Sequence, residues 1–277
     1  MSTATGFLRV LEIDAQDAAG HGDAFERMRG GKLDGVIVRD VYPPDVLARV
    51  VQRLERHDPP FLETSFPAPF KSSFYGRNLN LTHPDLSGRG YFAEAARFHE
   101  QLDALFRPSP GLVARVGVIL AELDAGRPFL APPGLEPGQR YMFTTLRAQR
   151  EGGFIPPHCD NEHAFRPAYA HLLPLIDRHL MSFVLAFTMA AAGGALEVFD
   201  LRFESLAPRL MNDDGAAPID TAGVASVRFR LPPGAMIVLD SGRYLHRVTP
   251  VIGPHKRWTA CSFMARSRTR DATYCWG

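Results

Sequence analysis

Gly152-Gly153-Phe154-Ile155-Pro156-Pro157-His158-Cys159-Asp160-Asn161-Glu162 is the stretch around which the chain is organised. At its centre His158 and Asp160 stand two positions apart, behind an approach rich in glycine and proline. On an extended strand such a pair shares one face, with about 7 Å between the residues. An open mononuclear site of two imidazoles and one carboxylate needs this pair plus a further histidine from elsewhere. That group comes late, as His246 in Gly242-Arg243-Tyr244-Leu245-His246-Arg247-Val248-Thr249-Pro250. Arg257 lies eleven positions after it, in His255-Lys256-Arg257-Trp258-Thr259.

With 277 residues, 45% of them apolar and 22% charged, the chain is long enough to bury a full core and reads as an ordinary globule. A net charge of +1 implies no polyanionic partner, and no basic stripe with interleaved aromatics points to nucleic acid. No apolar run reaches the roughly 18 residues of a membrane span. The first ten residues lack a secretory pattern. The three cysteines, Cys159, Cys261 and Cys275, form no framework. Together these features lead to the expectation of a cytoplasmic protein.

Outward from the central stretch, the C-terminal half is a series of short apolar runs divided by glycine and proline. They are 141–149, 182–190, 195–200, 226–230, 235–240, 245–251 and 257–265. Several short strands with turn signals between them predict a β-sandwich or barrel. Before them, 127–138 is a connector holding Pro128, Pro132, Pro133, Gly134, Pro137 and Gly138. The earlier part reads as helix-rich: a strand over 33–40, then helices starting near Pro44 and covering 90–106 and 111–125. Residues 1–20 read as a loose lead-in and 65–80 as a loop. A single domain over 1–277 is expected, with a helical portion to 135 and a β core over 136–270. Segments 161–181 and 201–223 read as excursions from it.

The order His-x-Asp, a distant His, then an Arg about ten residues on resembles the non-haem iron(II), 2-oxoglutarate-dependent dioxygenases over Arg140 to Ala265. The resemblance implies a double-stranded β-helix, or jelly roll, with iron held by His158, Asp160 and His246. It implies that Arg257 grips the distal carboxylate of 2-oxoglutarate, with Thr259 as the hydroxyl residue of an Arg-x-Thr pair. It also implies oxidative decarboxylation of 2-oxoglutarate by O2 to succinate and carbon dioxide, coupled to oxidation of a substrate carbon. Related halogenases leave the carboxylate position to a small residue so that chloride can bind iron. Asp160 therefore favours hydroxylation.

Chemistry supports the same set. Three protein ligands leave three positions on an octahedral iron for the keto acid and dioxygen. A planar guanidinium can hold a carboxylate bidentately, where Lys256 would be a point charge. If Gly253-Pro254 forms a two-residue turn, residue 250 pairs with 257, and His246 and Arg257 share an interior.

Other groups read more plainly. His163, His171 and His179 are insertion or surface histidines, and Arg247 alternates away from His246. Tyr75-Gly76-Arg77 is a lid or a core plug, and Asn161 and Glu162 belong to a polar turn or a layer behind the ligands. Arg147, Arg150 and Arg243 lean the substrate towards an anionic small molecule, such as an amino acid or a natural-product intermediate. Two alternatives stay open: a cupin-like metalloenzyme without 2-oxoglutarate, which would not need Arg257, and a non-catalytic jelly-roll binding protein.

Overall fold

The computed structural model describes residues 2–79, 90–161, 166–210 and 219–277, without the side chains of 2–5 and 207–210. Along the chain come β1 (Ser2–Thr5), β2 (Leu8–Asp14), α1 (Ala24–Arg29), β3 (Gly35–Arg39) and α2 (Pro44–Glu55). Next are β4 (Glu63–Ser65), β5 (Ser72–Tyr75), α3 (Tyr91–Phe106), α4 (Leu112–Leu123) and β6 (Phe129–Leu130). The second half holds β7 (Thr145–Gln149), β8 (Ile155–His158), β9 (Met181–Ala186), β10 (Ala192–Gly193), β11 (Leu196–Arg202) and α5 (Phe203–Leu210). It closes with β12 (Ser226–Phe229), β13 (Met236–Leu239), β14 (Tyr244–Val248), β15 (Val251–Ile252), β16 (Arg257–Arg266) and β17 (Thr273–Trp276).

These strands form the jelly roll expected from the sequence. A large sheet runs β1-β2-β3-β13-β9-β16-β7-β5-β4, with β17 continuing the β7 edge of β16. A smaller antiparallel sheet, β12-β11-β14-β8, faces it. Both faces of the large sheet are covered, which is why β13 is a continuous Met-Ile-Val-Leu run rather than an alternating one. Period-2 geometry divides each strand between the two sides. Val238, Leu185, Ala260 and Leu146 join the core under the helices, whereas Ile237 and Leu239 join Leu8, Val10, Leu196, Val198 and Phe229 between the sheets.

The helices are amphipathic for readable reasons. α2 starts on Pro44 and buries Val46, Leu47, Val50 and Leu54, one side of the cylinder. α3 buries Tyr91, Phe92, Ala95, Phe98, Leu102 and Phe106, but Ala96 stays on the solvent side. No helix among the described residues is long and apolar enough to cross a membrane.

Three expectations are corrected. Residues 1–20 are not a lead-in: β2 runs parallel to β3, from Val10↔Gly35 to Asp14↔Arg39, and so widens the large sheet. The 65–80 loop contains β5, which pairs with both β4 and β7. No 250–257 hairpin rung forms. After β14 the chain leaves the small sheet, β15 pairs with β10, and β16 enters the large sheet between β9 and β7.

Asp34 ties this N-terminal extension to the strand that carries His246. Its fully buried carboxylate accepts from Arg9 N (2.8 Å), Arg9 Nε (3.0 Å) and Tyr244 Oη (3.0 Å). Removing the acceptor leaves the buried Tyr244 hydroxyl unpaired, while the half-exposed Arg9 can turn to water, at a cost of about 1–3 kcal/mol. Asp34→Ala should lose stability of that order in urea unfolding. A loss below about 0.5 kcal/mol, the scatter of ordinary surface changes, would contradict the link.

Candidate metal centre

Strand β8 is the edge of the small sheet, and this is what lets Pro156 and Pro157 stand in it, since neither can donate to a ladder. Its pairing with β14 reduces to His246↔His158 and Val248↔Ile155, with a bulge between. The two histidines thus stand directly opposite, with ring centroids 4.3 Å apart. Asp160 follows on the turn beyond the strand, its Oδ1 3.5 Å from His158 Nε2 and 3.8 Å from His246 Nε2. One ligand atom from each of the three residues lies within 4.8 Å of the others.

Both rings are oriented from behind. His158 Nδ1 lies 2.8 Å from Pro156 O, and His246 Nδ1 lies 3.0 Å from Tyr244 O. A carbonyl can only accept, so each Nδ1 carries a proton and each Nε2, the nitrogen left to ligate a metal, is turned towards Asp160. The carboxylate is positioned through its own backbone, Asp160 N donating to Ser241 O at 3.0 Å. Asn161, assigned from sequence to a polar turn or a supporting layer, accepts from Leu180 N through Oδ1 at 2.9 Å. Gly242 N donates to Leu180 O at 2.9 Å, which locks the metal loop, the start of β9 and the approach to β14 together.

The ligands open into a cavity between the sheets, with the apolar walls Ile155, Leu196, Val248 and Phe263. Its polar contributions are Asn78, Thr145, Arg147, Ser182 and Cys261. Except for Arg147, these were not singled out from sequence. Thr145, Arg147, Ser182 and Cys261 carry a period-2 signal that becomes usable only once the strand register is known; Asn78 follows β5 and carries none.

Arg257 and Thr259 share the face of β16 that carries Cys261, two steps and one step of alternation away from it. Arg257 is buried and donates from Nη1 to Gln149 Oε1 at 2.7 Å, while its stem borders a smaller hollow beside Gly194. A Cβ on Gly194, whose φ is +60°, would come within 2.9 Å of Arg257 Cδ. Burial pulls the Arg257 guanidinium down to about 10, with Cys261 opposing the fall and the Arg147 charge adding to it. The fully buried Thr259 has its Oγ1 3.4 Å from Cys261 Sγ.

Of the three arginines expected at the mouth, Arg147 lines the cavity. Arg243 pairs with buried Asp240 at 3.0 Å, and Arg150 borders an outer hollow of the surface. Arg247 points away from the site, as alternation requires, and meets Glu197 at 2.6 Å. Burial would raise the Glu197 pKa, but hydrogen bonds from Arg228, Arg247 and Ser226 outweigh it and leave it below the ordinary range. Glu197 is therefore a structural carboxylate. His171 stacks on Tyr141, and His179 reaches Asp240 Oδ1 at 2.8 Å. Tyr75 is a core plug, its hydroxyl 2.8 Å from His57 Nδ1. Cys159 is buried against Phe199, Leu206 and Leu245. Glu162 and His163 lie outside the described residues.

Comparison with known proteins agrees with this architecture. The family model described as "Carrier-protein-independent halogenase WelO5" matches residues 7–277. No curated protein matches the sequence. Two solved structures of an N-substituted L-amino acid dioxygenase from Burkholderia ambifaria AMMD share the fold. The one in complex with alpha-KG is 14% identical with a TM-score of 0.57, and the other is 15% identical with a TM-score of 0.58. Each alignment covers 92% of this chain and 91% of the other.

Gly242 is the packing point on which the metal loop rests. A Cβ there would meet Asn161 Oδ1 at 2.2 Å and Leu180 O at 2.4 Å, one of them backbone. Gly242→Ala should therefore cost about 1–3 kcal/mol, as overpacking does, and weaken Fe(II) binding by displacing Asp160. Native Fe(II) affinity and stability in this variant would show that the loop does not depend on the close approach.

Proposed function

The chain belongs to the family described as carrier-protein-independent halogenase WelO5, a group of non-haem iron(II)/2-oxoglutarate enzymes, and from that premise we propose that it hydroxylates an aliphatic carbon of a small molecule and does not halogenate. The observation that carries this proposal is Asp160: a buried carboxylate, 3.5 and 3.8 Å from two imidazole nitrogens, stands where a halide-binding site has a small residue. The donor set fits ferrous iron, since two neutral imidazoles and one carboxylate form a facial triad that leaves positions open.

Bound Fe(II) and 2-oxoglutarate supply dioxygen activation, with the keto acid leaving as succinate and carbon dioxide. The chain supplies the rest. His158, Asp160 and His246 would hold the metal, their two imidazole tautomers set by Pro156 O and Tyr244 O. Arg257, with Thr259 beside it, would take the distal carboxylate; a guanidinium suits that task because it can engage both oxygens. Ile155, Leu196, Val248 and Phe263 give the cavity apolar walls, which favour an apolar substrate surface over water. An amino acid or natural-product intermediate suits a largely apolar cavity with one arginine in its wall. All three cysteines are free, which suits the cytoplasmic setting proposed for the chain.

Halogenation is the second reading, favoured by the description of the family itself. Products formed in chloride buffer with 2-oxoglutarate separate the two by mass. The native protein should give product heavier by one oxygen, or a desaturated or cyclised derivative. A chlorinated product would overturn the role given to Asp160.

The ligand assignment has its own test. His158→Ala and His246→Ala should each lose bound iron together with succinate formation, because two remaining ligands do not make a facial site. Full iron stoichiometry in either variant, by elemental analysis, would remove that histidine from the set.

A further inference from the structure

Strand β7 carries two donors into the interior that meet no acceptor among the described residues. Gln149 is fully buried, and its Oε1 accepts from Arg257. That bond fixes the amide, so Nε2 faces the other way as a donor, and it has no acceptor. Arg147, two residues earlier on the same face, lines the metal cavity, and its buried Nε is also without one. Its guanidinium lies 4.8 Å from the centroid of the Phe74 ring, a contact that orients the plane and leaves the charge unneutralised.

Nearby carboxylates are committed elsewhere. Glu197 serves Arg228 and Arg247, Asp240 serves Arg243 and His179, and Asp160 stands with the histidines. Two inward guanidiniums without an acidic partner among the described residues are costly in a dry interior, and a carboxylate held between them lowers that cost.

We propose that Arg147 and Gln149 complete, with Arg257, the receptor for the distal carboxylate of 2-oxoglutarate, so that two guanidiniums share it. This rests on the reading of the chain as a 2-oxoglutarate enzyme with Arg257 as an anchor. Position favours it. Cys261 lines the cavity, and Arg257 lies four residues along β16, about 14 Å away. Arg147 is paired with Thr259, one rung nearer the cavity, and Gln149 is paired with Arg257. A diacid extending from the metal meets Arg147 before it meets Arg257. The second cation makes the site selective for a dicarboxylic 2-oxo acid over a monocarboxylic one.

The test is anaerobic binding to the Fe(II)-loaded protein, read from the charge-transfer absorption of the chelated keto acid. Two ligands are compared: 2-oxoglutarate, and 2-oxopentanoate, which keeps the chelating end and lacks the distal carboxylate. Arg147→Gln should weaken 2-oxoglutarate by about tenfold to a hundredfold, the size of a hydrogen bond to a charged group. Its 2-oxopentanoate affinity should stay within about twofold of native, inside the usual error of independent sites. Arg147→Lys should recover part of the loss, because it restores charge without the planar fork. An unchanged preference for 2-oxoglutarate in Arg147→Gln overturns this inference alone. Equal weakening of both acids, or loss of iron, would assign Arg147 a structural role and also overturn it. A native protein that binds neither acid would overturn the oxygenase reading and this inference together.

Discussion

The pairing of His158 with His246 across the last two strands of the small sheet is the constraint on which the site depends. A slip of one residue on either strand would send one imidazole to the outer face, because side chains alternate. Several features hold the register. Pro156 and Pro157 confine β8 to the sheet edge, and the bulge between the two pairs absorbs the mismatch. Tyr244, two residues before His246, is hydrogen-bonded to buried Asp34 from the far end of the chain. Between β13 and β14, Ser241 O accepts from Asp160 N in the metal loop, and Gly242 N donates to the carbonyl of Leu180, a residue that Asn161 also ties to that loop. The N-terminal strands thus contribute to the metal site without touching it.

Electrostatics divides the interior into two ends. Around the ligands, one carboxylate faces two neutral imidazoles, an arrangement that leaves a bound ferrous ion with residual positive charge. Towards Gln149 the walls carry arginine. Arg147 and Arg257 are diagonal neighbours on adjacent strands, with Cα atoms roughly 7–8 Å apart. The depressed Arg257 pKa is consistent with this, although burial is its larger cause. Metal end and arginine end together describe a site for a chelating dianion. On the outer face of the small sheet, Glu197 keeps Arg228 and Arg247 occupied and so keeps those cations away from the interior.

Much of this was legible in the sequence, for physical reasons. His158, Asp160 and His246 stand out because the residue types are rare and the spacing is local for two of them. The runs at 226–230, 235–240 and 257–265 match β12, β13 and β16 closely, since buried strands are short, apolar and bounded by turn residues. Long-range pairing was not legible. β2 reaches the sheet through a parallel crossover, and nothing local marks Leu8–Asp14 as a partner of Gly35–Arg39. The segment after Pro250 looked like half of a hairpin, because a glycine and a proline stand where a turn would be; the chain instead changes sheets there, and His246 and Arg257 face the same interior from opposite walls. Arg147 was ambiguous for the same reason. Only its pairing with Thr259 decides that it points inward.

Membership of a halogenase family and retention of the third ligand pull in opposite directions, and the coordination sphere decides between them. The direct measurement is iron X-ray absorption on the anaerobic Fe(II)- and 2-oxoglutarate-loaded protein, prepared in bromide so that any bound halide scatters strongly. With Asp160 as a ligand, the first shell should contain nitrogen and oxygen neighbours alone, unchanged by the bromide. A bromine neighbour at the iron of the native protein would contradict the account.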